Sequence, residues 1–346
     1  MKCYTETKKS NVGDVCLITL ENTDGMKVIL SSYGAAIYQI YVKNDHESTL
    51  VTMGPSDLDL FNTSVQYYGK TIGRTSGRVL TKPFLLNNKE VTVTPFGDTR
   101  SQLHGGESGF GLRHFDVIET KALDDLAYVK FKLISKDGEA GYPGNLETVI
   151  TYTLNMTNQL TVTFDATSDQ DTLCNLTNHT YFNLSGQKEN IDQHIISIDA
   201  DAFVEVDDTY HALRLKSVEK TPYDLRNPQS FSTILHDLKE TPFGGIDHTF
   251  KLNHPEMNHP SLVVYHPISN IGLRISTDYP ALVLYTHNHY CKDVKDITLD
   301  DGHHSSIAIE CQYEPGGIHY PFLHDAILKK DDTYHHVITY QFYRHQ

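Results

Sequence analysis

The chain is expected to be all-β, a large antiparallel β-sandwich. Three observations predict this: apolar and polar residues alternate at period two along much of the sequence, turn residues separate the alternating segments, and helical patterns are confined to two short stretches. The clearest alternation has Leu160, Val162, Phe164 and Ala166 on one face and Thr161, Thr163 and Asp165 on the other, which describes a half-buried strand.

Taken along the chain, residues 57–62 could form a short helix, and residues 84–86 with 91–93 flank Asn87 and Asn88 as a hairpin. Residues 129–133 read as a strand and 137–144 (DGEAGYPG) as a loop by glycine and proline content. Residues 149–154 share the β-branched and aromatic enrichment of 160–166, with residues 155–159 as the connection. Residues 230–238 could form the second helix, 261–265 and 337–342 are further strands, and 313–317 (YEPGG) is a loop. Two short helices leave no room for a repeated crossover, so a doubly wound α/β fold is disfavoured. No internal repeat, low-complexity tract or linker-like stretch interrupts the strands, so residues 1–346 are read as one domain.

A charged fraction of 21% and a hydrophobic fraction of 39% are those of an ordinary globular protein. The formal net charge of -15, unbroken by any run of lysine or arginine, would repel a polyanion, so nucleic acid is not an expected partner. Nothing approaches the roughly 18 consecutive apolar residues that cross a bilayer, and the segment MKCYTETKKS is too polar for a signal peptide. A cytoplasmic protein with no membrane partner is expected, and nothing indicates an oligomer. The cysteines, Cys3, Cys16, Cys174, Cys291 and Cys311, are odd in number and lack CxxC spacing, which disfavours a disulfide framework or a zinc site. Cys174 and Cys311 read as packing groups rather than nucleophiles. Five Asn-x-Ser/Thr sequons would matter only in a secreted chain.

The segment NLTNHTYFNLSG, residues 175–186, sets His179 among hydroxyls, amides and aromatic rings. Such groups can bond a polyol, Tyr181 and Phe182 can face the C–H side of a pyranose, and histidine titrates near neutrality. His104 lies in QLHGG, where Gly105 and Gly106 permit a close backbone approach or positive φ. Arg74 and Arg78, in GRTSGR, would share a face on a strand and diverge in a loop. Asp247 follows two glycines in FGGIDHTF, a flexible loop presenting a carboxylate suited to vicinal hydroxyls. Glu310 stands in the apolar strand IAIECQ, where lost hydration raises a carboxyl pKa toward that of a neutral-pH base. Of the histidine pairs, His303–His304, His335–His336 and His287 with His289, only the last has strand-face spacing, and none gains a convincing third ligand, so no metal is expected.

GRTSGR, LHGG, DGEAGYPG, NLTNHTYFNLSG, GGIDHTF, PALVLYT and IECQ, in this order, closely resemble the aldose 1-epimerase (galactose mutarotase) family over about residues 10–344. The resemblance implies the galactose mutarotase-like supersandwich and an enzyme interconverting α and β anomers of free aldoses, with an aldose as its small-molecule partner and no cofactor. It implies that His179 is the catalytic acid and Glu310 the base, that His104 and Arg78 hold the sugar near the reacting centre, and that Asp247 binds its hydroxyls. On this reading ionised Glu310 takes the C1 hydroxyl proton while protonated His179 donates to the ring oxygen; rotation about C1–C2 and reclosure invert the anomer. Two positions depart from the family pattern: Gly77 replaces an asparagine that would contact the sugar, and Val283 replaces a glutamine or aromatic residue, which bears on sugar preference. The alternatives are a sugar-phosphate epimerase on the same scaffold, which needs converging basic residues, and a carbohydrate-binding module, which has no need of Glu310 opposite His179.

Overall fold

The computed structural model describes residues 1–43, 47–186, 189–289 and 303–344. Antiparallel sheets dominate it. The largest has nine strands, in the order Asp116–Ala122, Leu126–Ser135, Leu146–Asn155, Gln159–Ser168, Thr333–Arg344, Ile271–Thr277, Leu262–His266, Ile195–Ile198 and Gln229–Ser230. A second has seven: Ala212–Ser217, Ala202–Val206, Asp247–Lys251, Ala281–Tyr285, Ile307–Gln312, Tyr181–Phe182 and Thr52–Met53. A third, of five strands, runs from Lys2 to Leu50.

The expected alternation holds along Gln159–Ser168, where Leu160, Val162, Phe164 and Ala166 are buried and the intervening residues are not. They join residues of the seven-stranded sheet, including Phe250, Leu282 and Ile309, in a hydrophobic cluster that also takes in Val28 and Ile40 of the five-stranded sheet. Burying one face of each sheet in a shared core is what makes the fold a sandwich.

The hairpin near residue 87 turns through Asn87 (φ 48°) and Asn88 (φ 60°), a left-handed pair suited to two-residue hairpins. Its second strand is Lys89–Val91, earlier than the alternation suggests, because Phe84 pairs with Val91 across so tight a turn. Both helices form. Asp57 caps Leu58–Thr63 by accepting from the Leu60 N–H at 2.9 Å, and Ser230 precedes Phe231–Leu238, which buries Phe231, Ile234, Leu235 and Leu238 on one stripe.

The central strands of the seven-stranded sheet are covered on both sides, so Ala281–Tyr285 and Ile307–Gln312 are buried throughout. Leu282, Leu284, Ile307, Ile309 and Cys311 face the core. Alternation then sends Val283, Tyr285, Glu310 and Gln312 to the opposite face, which is the floor of a pocket.

Candidate active site

The pocket has a volume of about 360 Å³, within the range of small-molecule sites. Strand register assembles its floor. Asp247 lies opposite Tyr285, Thr249 opposite Val283, and Val283 opposite Glu310, so neighbouring strands deliver polar and apolar groups side by side. Asp247 is the first residue of a strand, not part of the flexible loop expected from its glycines; Gly244 and Gly245 end just before the pairing starts. That pairing fixes its direction toward the pocket.

Three backbone junctions bring the other motifs to this floor. Leu103 pairs with Arg78, which places QLHGG beside GRTSGR, and the His104 N–H donates to Gly77 O at 3.0 Å. Thr177 pairs with Ile72, and the Asn175 N–H donates to Arg74 O at 3.0 Å. Thr177 Oγ1 donates to Cys311 O at 2.7 Å, tying the histidine segment to the glutamate strand. The peptide groups of His179 are themselves held: its N–H donates to Lys70 O at 2.8 Å and its carbonyl accepts from Gly69 N at 2.9 Å.

The amides and hydroxyls around His179 are therefore not the sugar contacts the sequence suggests. Asn175 Nδ2 donates to Tyr313 O at 3.0 Å, Asn178 Nδ2 to Gly69 O at 2.9 Å and Asn183 Nδ2 to Ser305 O at 2.7 Å. Buried polar groups need partners, and here they find them in neighbouring backbone, which fastens the segment. The two aromatics also part. Tyr181 lines the pocket and stacks on His179 with ring centroids 5.0 Å apart, whereas Phe182 turns into the core against Tyr340.

His179 Nε2 lies 3.3 Å from Glu310 Oε1, with both side chains almost wholly buried. Burial pushes the Glu310 carboxyl up to about 8, helped by the nearby Asp247 charge, and pushes His179 down to about 4. Burial thus favours a neutral acid beside a neutral imidazole, whereas the catalytic roles implied by the resemblance start from an ionised base and a protonated acid. Glu310 Oε2 and His179 Nδ1 are buried without hydrogen-bond partners among the described residues.

His104 adopts φ 52°, followed by Gly105 at 81° and Gly106 at 79°. A Cβ on Gly105 would lie 2.0 Å from Gly73 O, so glycine is required there. The Gly77 N–H donates to His104 Nδ1 at 3.2 Å, which leaves the proton on Nε2. Burial, His179 and Arg78 all hold this imidazole well below its ordinary pKa, so His104 is a neutral donor.

The two arginines diverge. Arg74 is buried, and its Nη atoms donate to the carbonyls of Ser135, Lys136, Pro143 and Gly144 and to the Ser135 and Thr172 hydroxyls. Arg78 instead lines the pocket with its guanidinium 4.4 Å from the centre of the Tyr210 ring. Gly77 between them has φ 67°, which breaks the strand alternation that would align them. Burial raises the Asp247 carboxyl to about 6, partly opposed by Arg78. Arg78 is the one lysine or arginine among the described lining residues, facing Asp247, Glu310 and Glu314.

The family departures also take physical form. A Cβ at Gly77 would meet Pro315 Cβ and Cγ at 2.5 Å, so Pro315 fills the space a side chain would need. Val283 offers methyl groups to the floor beside Glu310.

Sequence reasoning missed Tyr67, Tyr210, Gln312 and Glu314 as lining residues. Gln312 was within reach, because it sits two positions after Glu310 on one strand; neither of its amide atoms has a hydrogen-bond partner among the described residues. Cys174 and Cys311 are free thiols whose pKa burial raises, in keeping with packing groups. Cys291 lies outside the described residues. The pairing of His287 with His289 fails: φ 50° at His287 breaks the extended alternation, and His287 bonds Ser305 and Ser306 while His289 meets Tyr210.

The family model described as aldose 1-epimerase matches residues 16–341. A galactose mutarotase of Sus scrofa is 32% identical over 337 residues, covering 96% of this chain and 95% of the relative. A maltose epimerase of Levilactobacillus brevis is 29% identical over 339 residues, covering 96% of each. The crystal structure of a galactose 1-epimerase from Lactobacillus acidophilus superposes with a TM-score of 0.87 at 27% identity, covering 100% of both chains. Agreement in sequence and in three dimensions extends through the strands that carry the pocket, and the chain belongs to the aldose 1-epimerase family.

Proposed function

We propose that this protein interconverts the α and β anomers of free aldoses such as galactose and glucose, with Glu310 and His179 as the proton-transfer pair and Arg78, His104 and Asp247 as sugar-binding residues. The observation that carries the reading is the 3.3 Å separation of Glu310 Oε1 and His179 Nε2 at the pocket floor. The anomeric hydroxyl and the ring oxygen hang from one carbon, so the groups that serve them must be near neighbours.

Ring opening takes a proton from the C1 hydroxyl and delivers one to the ring oxygen, giving the open-chain aldehyde. In the charged state of the pair, Glu310 accepts the first proton and His179 supplies the second. After rotation about C1–C2, Glu310 returns its proton to the carbonyl oxygen as the C5 hydroxyl closes on the other face and gives its proton to His179. Protons and electrons balance over the cycle. His104 Nε2–H and the Arg78 guanidinium steady oxygens where charge moves, and Asp247 accepts from ring hydroxyls.

Free sugars fit the pocket better than phosphorylated ones, because a phosphate needs converging cations and would meet three carboxylates with only Arg78 to offset them. Residues 1–346 act as one domain, and the four described free thiols agree with a cytoplasmic setting. Polarimetry on freshly dissolved α-galactose and α-glucose, extended to xylose and arabinose, tests the activity: the approach to equilibrium accelerates in proportion to protein. Relaxation at the spontaneous rate for every sugar would leave only a binding module.

A further inference from the structure

We propose that Asp199, His254 and His259 form a binding site for a late first-row divalent cation such as zinc. Asp199 follows the Ile195–Ile198 strand, and the histidines lie on the loop after the Asp247–Lys251 strand. His254 Nδ1 lies 2.7 Å and His259 Nε2 3.0 Å from the same carboxylate oxygen, Asp199 Oδ2, and one ligand atom from each of the three residues falls within 4.8 Å of the others.

The donor set is that of a borderline cation: two imidazoles and a carboxylate suit zinc, copper or nickel better than magnesium or calcium, which take oxygen ligands. With metal–ligand distances of about 2.0–2.1 Å, neighbouring ligand atoms in a tetrahedral site stand about 3.4 Å apart. The two spacings to Asp199 need to open by only about 0.4–0.7 Å, and both imidazoles are exposed enough to swing that far.

The carboxylate is fixed by its surroundings. The Asp199 N–H donates to Ser261 O at 3.0 Å, its carbonyl accepts from Asn253 N at 3.0 Å, and Asn253 Nδ2 donates to Oδ1 at 3.0 Å. Oδ2 is left for the imidazoles. Loop bonds from Glu256 N to His254 O at 2.8 Å and from His259 N to Glu256 O at 3.1 Å set the two histidines side by side. Such outer contacts orient metal ligands. A cleft of about 340 Å³ opens beside Asp199 and His259, giving water access to the remaining coordination position. Arg226 also lines the cleft, but Asp224 and Asp201 hold it at 2.7 and 3.1 Å.

Bound metal would staple the 253–260 loop to the end of the nine-stranded sheet. The site lies beyond the far end of the strand that begins at Asp247, a strand roughly 13 Å long at about 3.3 Å per residue, so its occupation leaves the sugar pocket untouched.

The test is titration of the untagged, chelator-stripped full chain with zinc chloride by isothermal calorimetry, with melting temperature followed in parallel. One zinc per chain is expected, with a rise in melting temperature. His254→Ala, His259→Ala and Asp199→Asn should each weaken binding by at least the roughly 10–100-fold that loss of an outer contact costs, and Asn253→Ala by about tenfold. The paired variant His254→Ala with His259→Ala should lose the titration and the thermal shift while retaining wild-type mutarotation, which shows that it is folded. His335→Ala, a histidine elsewhere that contacts Asp165, should titrate as wild type. No zinc binding by the wild-type chain, or undiminished binding by the paired variant, overturns the proposal without bearing on the sugar reaction.

Discussion

Glu310 Oε1 and His179 Nε2 stand 3.3 Å apart, and burial drives the two groups toward a shared neutral state, the carboxyl up to about 8 and the imidazole down to about 4. A carboxylic acid beside a neutral imidazole has the same proton count as a carboxylate beside an imidazolium. Only the position of the proton differs. In the proposed reaction the neutral form matches the open-chain intermediate and the charged form the closed ring, so binding a ring is expected to move the proton from Glu310 to His179. A carboxylic C=O stretch should appear in the infrared spectrum of the sugar-free protein at neutral pH, vanish in Glu310→Gln, and weaken when galactose saturates the site. A band indifferent to saturating sugar would rule this proton movement out.

Removal of either member should cost most of the catalysis. Each positioned proton-transfer group is worth about 10²–10⁴ in rate, so Glu310→Gln and His179→Asn should each lower kcat by that order with the fold retained by circular dichroism. In the proposed reaction the two act on one hemiacetal, so the double variant should be little worse than the poorer single one. Near-wild-type turnover in either single variant would refute the assignment.

The same shifts govern stability against pH. Glu310 is raised from 4.5, so between about 4.5 and 8 the folded chain holds a proton that the unfolded chain releases, and stability falls as pH rises through that window. His179 is lowered from 6.5, so between about 6.5 and 4 the unfolded chain takes up a proton the folded one refuses, and stability falls as pH drops. Denaturant melts across pH should show Glu310→Gln gaining on the wild type from pH 5 to 8, and His179→Asn gaining from pH 6.5 to 4. A parallel pair of profiles would contradict the burial argument.

Arg74 and Arg78 should fail in different ways. Arg74→Ala leaves the carbonyls of Ser135, Lys136, Pro143 and Gly144 without its donors, and each orphaned buried group costs about 1–3 kcal/mol. A loss of about 3 kcal/mol or more in chemical denaturation is expected. Arg78→Ala should instead change stability by less than about 0.5 kcal/mol while raising KM severalfold, since its guanidinium meets the ring of Tyr210 and the open pocket. Equal loss of stability in both variants would show that the two side chains do the same job.

These arginines also show what the sequence can and cannot reveal. Alternation at Leu160, Val162 and Phe164 was legible because a strand translates period two directly into two faces. Glu310 was legible for the same reason: its apolar neighbours announce a covered strand, and a carboxylate there stands out. The four-residue spacing of Arg74 and Arg78 leaves their directions open; the family resemblance picks Arg78, and the left-handed Gly77 with the pairing of Leu103 to Arg78 supplies the physical reason that the two diverge. Tyr210 was hidden because its place depends on Arg78, far away in sequence. The polar residues around His179 were recognised as important but given the wrong task, since residue type alone cannot say whether an amide will meet a sugar or a neighbouring carbonyl.

Gln312 offers the clearest opposition between function and stability. Its amide lies buried on the pocket floor, two positions from Glu310, with neither Nε2 nor Oε1 bonded among the described residues. A buried amide without a partner costs about 1–3 kcal/mol, and a hydrogen bond from a sugar hydroxyl would relieve that cost. Gln312→Leu keeps the side-chain volume close while removing the polar atoms. Without added sugar the variant should therefore be more stable than wild type by about 1 kcal/mol in chemical denaturation, and its KM for galactose should rise roughly 2–10-fold, the worth of one net hydrogen bond. An amide that held substrate would move no proton, so kcat should stay within about twofold on the usual separation of binding from chemistry. A variant that loses stability and leaves KM unchanged would place the amide among the structural contacts of the strand.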